Sequence, residues 1–327
     1  MTSAKDASWE PIAGVATARQ RALLLQRARD FFAQRNVLEI DTPILGEAAV
    51  SDPGIESLAT RLALAPTKTF YLQTSPEFHM KRLLAAGFPD IFEIGKVFRD
   101  AELGRNHQPE FTLIEWYRLG FGLESIIQES VDFIEALLDK SRISAAADRF
   151  SYRDAFQSFA DIDPLATSMD QLLKGLDADA DLRSSLGNSV DACLDLMMAT
   201  RIAPQFRADR LTVIQHYPAT QAALARICPD DEAVADRFEI FFASLELANG
   251  YVELTDATEQ RRRCEADQDK RRDKNAPIRP LDEKFVASLE CGLPACAGVA
   301  VGFDRLLMVH AGAKHIRDVR HFPIETE

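Results

Sequence analysis

Two stretches decide the fold of this 327-residue chain: FRDAELGRNHQPEFTLIEWYR at 98–118 and GVAVGFDRLLM at 298–308. The first reads as a polar loop between two strands. An apolar run from Asp90 to Ile94 precedes it, and Phe111 to Tyr117 follows it. Arg99 therefore leaves a strand end at a fixed place, where its planar, permanently charged fork suits a phosphoryl group better than a lysine would. In the second stretch the spacing Gly298-x-Ala300-x-Gly302 puts small residues where a backbone passes close to a ligand. Arg305 then falls on the first turn of a helix. Each feature also has a plainer explanation: a surface pair of Arg99 with Asp100 or Glu102, a core ring at Phe111, and glycines that serve strand packing.

Working outward, ARQRALLLQRARDFFAQRNV (18–37) has helical spacing, with Leu24, Ala28 and Phe31 or Phe32 on one face and arginines on the solvated side. A helix ending near Asn36 gives way to VLEIDTPIL, a strand that stops at Pro43. Thr69 to Thr74 predicts a short strand, and the end of SPEFHMKRLLAAG a helix. Leu123 to Lys140 predicts an amphipathic helix with Ile127, Val131, Ile134 and Leu138 inward. Residues from about 150 to 210 predict acidic helices. Strands return at Leu211 to His216, Phe238 to Leu247 and Gly250 to Leu254, and Thr258 to Lys274 is a charged helix. Strands far apart in sequence, read as mutually antiparallel with helices outside, indicate an α+β class.

Length and a hydrophobic content of 46% are ample for a buried core. No run approaches the roughly 18 to 20 apolar residues that span a bilayer, and the start has no signal pattern, so the expected compartment is the cytoplasm with no membrane partner. The five scattered cysteines read as reduced thiols, and CGLPAC (291–296) lacks a zinc spacing. A net charge of −13 opposes non-specific attraction to nucleic acid without excluding a local basic groove.

Glu239, Glu246 and Glu253 recur at intervals of seven within RFEIFFASLELANGYVELTD (237–256). Carboxylates among Phe, Leu and Tyr need a cation, because burying an unpaired charge is costly. A metal ion and a substrate amine would serve, as would the neighbouring arginines. Several carboxylates around one pocket select a cationic substrate and reject neutral analogues, which would leave them unpaired. No Ser-His-Asp or Cys-His arrangement is evident.

Together with Pro43 in VLEIDTPIL, the two deciding stretches resemble, in chain order, the three signature motifs of class II aminoacyl-tRNA synthetases. The resemblance implies an α+β catalytic domain over 1–327, an antiparallel sheet flanked by helices, with a helical insertion near 150–210. It implies ATP and Mg2+. Arg99 would hold the α-phosphate and the carboxylate under activation, Phe111 would stack on adenine with His107 near the phosphates, and Arg305 would meet the terminal phosphate. Asp100, Ala101, Glu102, Gln108, Leu247 and Gly302 complete the implied ATP contacts. The likeness to lysyl-tRNA synthetases is closest in the acidic segment and in KHIRDVRHFP (314–323). It assigns Glu239 and Glu246 to magnesium, Glu253 to the lysine side-chain ammonium, and Glu77, with Ser75 and Pro76, to the backbone amine. Glu115 and Tyr117 become further ammonium contacts, and Asn249 and Ala300 line the amino-acid site.

Those synthetases carry an N-terminal anticodon-reading OB-fold, whereas motif 1 here starts almost at the N-terminus. SWEP (8–11), TSPEFHMKRLLAAG, QPEFTLIEWYR and LELANG resemble the short paralogues that attach (R)-β-lysine to a lysine of elongation factor P. The expected partners are therefore elongation factor P, (R)-β-lysine or lysine, and a second copy of the chain through motif 1, with no tRNA. Two departures stand out: Ala101 occupies the position where the family has glutamate, with Glu102 following, and Gln108 replaces asparagine. Ala300 stands where lysyl-tRNA synthetases have glycine. A truncated enzyme charging an RNA with lysine, and a non-catalytic sensor of lysine or ATP, are the alternatives.

Overall fold

The computed structural model describes residues 9–139 and 141–324. Helix α1 (Val15–Ala33) buries Leu24, Ala28, Phe31 and Phe32, the face marked by its apolar spacing. Its arginines are not all solvated: Arg21 reaches inward to Asp304 and Thr112 at 2.7 and 2.6 Å. The VLEI strand shrinks to β1 (Leu38–Glu39), and β2 (Leu45–Gly46), β3 (Ala59–Leu62) and β4 (Ala65–Leu72) form a small separate sheet. Helix α2 (Glu77–Ala85) leads to β5 (Ile91–Phe98) and β6 (Glu110–Leu119), the predicted strand, loop and strand. Helix α3 (Leu123–Leu137) follows; the predicted end at Lys140 lies outside the described residues, as does Ser8 of SWEP.

After β7 (Asp148–Ser151) come α4 (Tyr152–Ala160), α5 (Met169–Gly175), α6 (Ala180–Leu186) and α7 (Val190–Met197), in the segment expected to be helical. Strand β8 (Leu211–Pro218) runs two residues past expectation, over a bulge at His216, whose φ is +58°. The next two expected strands need correction. Phe238 to Leu247 is not one strand: β9 (Val234–Phe242) and β10 (Leu245–Val252) are a hairpin that turns at Ala243-Ser244, with Ala243 at φ +48°. Gly250 lies inside β10 rather than opening a strand. Helices α8 (Ala257–Asp273) and α9 (Glu283–Gly292), strand β11 (Cys296–Gly302) and helix α10 (Phe303–Ala311) complete the chain.

Eight strands form the main sheet in the order β1-β5-β6-β11-β10-β9-β8-β7. Its interior pairs are antiparallel as expected, but the edge pairs β1-β5 and β7-β8 are parallel. Each of those pairs is joined through helices, the long connection that parallel pairing requires. One face carries Phe92, Ile114, Trp116, Ile240, Val299 and Val301 into the principal core beneath α1, α3 and α10. The other face is covered in two parts. Near β7 to β9, helices α4 to α7 pack their own apolar cluster on Ile214, Tyr217 and Phe241. Near β5 and β6, α2 and α9 cover Ile91 and Tyr117, with Phe78 stacked on Phe285 at 4.4 Å. The middle of this face is open to side-chain chemistry.

One buried side chain fixes a loop over that opening. Arg271 of α8 is fully buried and donates to the carbonyls of Ser51, Asp52 and Ile55 at 3.0, 2.7 and 2.7 Å, and to Glu56 Oε1 at 2.6 Å. A guanidinium with every arm engaged makes an otherwise irregular segment a fixed wall. No described helix is long and apolar enough to cross a membrane, and all five cysteines are free thiols.

Candidate active site

The antiparallel register draws the sequence-predicted residues into line. Glu93, Glu115, Ala300, Asn249 and Glu239 are successive partners across β5, β6, β11, β10 and β9. The adjacent row on the same face is Tyr117, Gly298, Tyr251 and Arg237. Paired residues share a face and alternate residues return to it, so Leu113, Gly302 and Glu253 join them. Strand β11 contributes only Gly298, Ala300 and Gly302 here, forming a trough between taller neighbours. A Cβ on Gly298 would collide with the Tyr117 ring and lie 2.6 Å from Glu253 Oε1. The motif's small residues are thus required by the rings and carboxylates that close over them.

Two adjoining cavities occupy the trough. One, of about 160 Å3, is lined by Glu77, Glu115, Tyr117, Tyr251 and Glu253. The other, of about 310 Å3, is lined by His107, Phe111, Glu239, Glu246 and Arg305. Arg99, Asn249 and Ala300 border both, as do Asp52 and Ile55 from the loop that Arg271 holds. A larger cavity of about 540 Å3 lies beyond Ser75, Glu77 and Phe78 under the small sheet, away from the arginines of the pair.

In the larger of the pair, Arg305 sits on the first turn of α10. Buried Asp304 fixes that turn to β6 by accepting from the Thr112 amide at 2.7 Å. Arg305 donates to the Glu246 carbonyl at 3.0 Å and meets His107 Nε2 at 2.6 Å. Burial, and then the Arg305 charge, push the His107 pKa down, so the ring is neutral and its Nε2 accepts. Arg99 lies 5.2 Å over the Phe111 ring, with Glu102 at 3.8 Å and its own buried Nε unpartnered. Such a guanidinium keeps donors free for a ligand. Glu102, Leu247 and Gly302 line this cavity. Gln108 lines it too, but its amide is engaged both ways by the backbone of Ile324, at 3.2 and 2.8 Å. Asp100 and Ala101 sit on the exposed turn beside it and line neither cavity; Ala101 has φ +62°.

Glu239 and Glu246 fit a divalent cation. Both face this cavity, and burial, then the neighbouring Glu246 charge, push the Glu239 pKa up to about 7 despite a 2.7 Å bond from Arg237. A carboxylate under that pressure is relieved by a hard cation, and paired carboxylates are typical magnesium donors. His216, Cys228 and Asp236 also converge, but buried Asp236 is already taken by two bonds from Arg226.

The smaller cavity is acidic. Glu115 accepts from Ser75 and from the Tyr117 hydroxyl, both at 2.8 Å, and Glu77 accepts from Tyr251 at 2.6 Å. Burial keeps both tyrosines protonated donors. Pro76 caps α2 and lines neither of the paired cavities. Burial pushes the Glu115 and Glu253 pKa values up to about 8, with Glu77 adding to both and Lys81 opposing at Glu253. Lys81 bridges Glu77, at 2.6 Å, and Glu253. Lys81, Tyr251, Arg237 and Asp52 were not expected at the site. Lys81 had a signal, the i, i+4 spacing from Glu77 on one helix face.

The chain matches, over residues 15–326, the family of tRNA synthetases class II (D, K and N). It is 42% identical over 323 residues to the elongation factor P--(R)-beta-lysine ligase of Photorhabdus laumondii, covering 97% of this chain and 98% of the relative. It is 42% identical over 321 residues to the protein of that name from Avibacterium paragallinarum, and 40% over 321 to that from Haemophilus influenzae, with the same coverage of both chains.

The raised carboxylates predict a pH dependence. A carboxylate whose folded-state pKa rises from 4.5 to about 8 favours folding fully below pH 4.5, and that contribution is lost as pH rises through about 8. Lys81, whose pKa is held above the ordinary lysine value, stays charged throughout. The thermal midpoint of the ligand-free protein should therefore fall across this window, and Glu115→Gln should flatten the fall. An equal slope in protein and variant would contradict the assignment.

Proposed function

We propose that this chain, which belongs to the tRNA synthetases class II (D, K and N) family, activates (R)-β-lysine with ATP and transfers it to a lysine side chain of elongation factor P in the cytoplasm. It is an ATP-dependent ligase, as the family and the named relatives have it. The observation that carries the finer reading is the pair of cavities meeting at Arg99: a cation-selecting acidic cavity on one side, and arginines with a neutral histidine on the other. Near end-to-end likeness to relatives named for this reaction supports the acceptor.

In this reading the diamino acid enters with its ammonium groups among Glu77, Glu115 and Glu253 and its carboxylate toward Arg99. Phe111 stacks on adenine, Arg99 holds the α-phosphate, and Arg305 with His107 holds the terminal phosphate. Glu239 and Glu246 would hold magnesium, which neutralises phosphate charge when bound. The carboxylate oxygen attacks the α-phosphorus and pyrophosphate leaves, so the chain's task is to align reactants and stabilise developing charge. The acceptor amine then attacks the acyl carbon, a proton leaves the nitrogen, and AMP departs. The helical segment near 150–210 is an insertion that covers the β7 to β9 end of this face and lines neither cavity. Ala300 narrows the trough between Glu115 and Asn249, where the position of the amine distinguishes lysine isomers.

A second copy of the chain packs against the motif 1 edge, where β1 is short and Leu38 and Ile44 are exposed at 46% and 41%. Light scattering at micromolar concentration should give twice the chain mass, and a monomer would remove this element.

Arg99→Ala and Arg305→Ala should each lower ATP–pyrophosphate exchange by about two orders of magnitude, mainly in turnover. Near-native exchange in either folded variant would sink the ATP-site assignment. The acceptor is decided by incubating the protein, ATP and labelled (R)-β-lysine with elongation factor P and, separately, with total tRNA. Label should appear on the factor. Label on tRNA alone would make this an RNA-acylating enzyme, and no exchange with either lysine isomer would make it a sensor.

A further inference from the structure

Lys81 sits one turn after Glu77 on α2, with its side chain wholly buried. Its Nζ contacts Glu77 Oε1 and Glu253 Oε2. The rings of Tyr251 and Phe285 lie 5.5 and 5.8 Å from that nitrogen. Glu115 has no such cation, only the hydroxyls of Ser75 and Tyr117. Glu253 Oε1 is buried without a hydrogen-bond partner, facing the space that Gly298 leaves open.

On the proposed reading of this cavity, we propose that Lys81 is a built-in counter-ion that matches the pocket's charge to a diamino acid. With a substrate's ammonium groups in place to keep them ionised, three carboxylates and one lysine ammonium leave two net negative charges, the number of ammonium groups that lysine or β-lysine brings. Its carboxylate is answered separately by Arg99.

The other charged groups nearby lie at the rim. Arg263 and Asp267 are paired with Glu259 and Lys270, and Asp52 borders the cavity from the loop above, where its Oδ1 accepts from the Gly54 amide at 2.7 Å at the exposed surface. Glu93 stands beside Glu115 on β5 but does not line the cavity, and burial pushes its pKa up to about 6. Without Lys81 the pocket would hold a third unanswered carboxylate, which must take a proton or remain a buried unpaired charge. With Lys81 but without Glu253, one substrate ammonium would lack a counter-charge. Lys81 is thus a positioning residue: it ties Glu77 to Glu253 and sets how many charges remain for the substrate.

The test is calorimetric binding of L-lysine and (R)-β-lysine to the native chain, Lys81→Met, Glu253→Gln and the double variant. Each single change should weaken binding by at least about tenfold, as when one partner of a buried pair is removed. ATP affinity should be unchanged. The double variant, again with two net negative charges, should bind several-fold tighter than either single variant. A double variant no better than the poorer single one, or native affinity in Lys81→Met, would overturn the charge match. If Lys81→Met does not fold, the double variant compared with Glu253→Gln alone makes the same decision. A native chain that binds diamino acids but transfers none would overturn the functional reading and leave this inference standing. One that binds no diamino acid would end both.

Discussion

Burying several carboxylates on one face of a sheet is the constraint on which the rest of this structure depends. Left unpaired, each would be driven to neutrality or would unfold the domain. The protein answers with donors that cannot leave: Lys81 from α2, hydroxyls from Tyr117, Tyr251 and Ser75, and Arg237 from Glu239's own strand. These answers are incomplete by design of the fold, since burial still pushes Glu115, Glu253 and Glu239 well above ordinary carboxylates. On the functional reading above, the remaining deficit is what a cationic substrate or a metal ion would relieve. Ligand affinity and folding stability are thus two readings of the same unbalanced charge.

The sheet makes that imbalance geometrically precise enough to use. Because antiparallel partners lie side by side, Glu115, Ala300, Asn249 and Glu239 form one row from the acidic cavity to the cavity that holds Arg305. A row fixed by backbone hydrogen bonds cannot drift by a residue without turning every member into the core behind it. That core, with Trp116, Ile114, Val299 and Val301, packs under α3 and α10. Asp304 links the two levels: it binds the β6 amide of Thr112 and the side chain of Arg21, and its neighbour Arg305 is thereby aimed at the cavity. Packing behind the sheet and chemistry in front of it therefore share one register.

Much of this was legible in the sequence wherever apolar periodicity was long. Helices α1 and α3 and the β5-loop-β6 unit came out within a few residues, because many positions vote on each; α8, which has no apolar stripe, was legible from its long charged run without glycine or proline. The β9-β10 turn was missed because FFASLELANG has no glycine, proline or asparagine at Ala243-Ser244, and Ala243 takes a positive φ unaided. Glu239 and Glu246 were therefore read along one strand, although they lie on two strands of a hairpin. The parallel edges were illegible because pairing direction depends on connections, not on strand composition. Lys81 was read past because a lysine within a helical run is usually a solvated one; only tertiary packing shows it wholly buried. Asp52 lies in a loop whose place is set by Arg271, more than two hundred residues away in sequence.

That loop separates two tasks on the functional reading above. Amino-acid selection falls to the floor, which is sheet and helix α2 and is held by register and ion pairs. The reacting acyl carbon lies where the cavities meet, near Arg99 and Ala300, and the acceptor must reach it past the roof. Asp52, Ile55 and Ala223 border both cavities from above. The first two hang on Arg271, and the Ala223 carbonyl on Arg263 at 3.0 Å. Neither anchor touches the carboxylates that choose the diamino acid. On that reading, a change confined to the roof would alter which nucleophile arrives without disturbing which acid is activated.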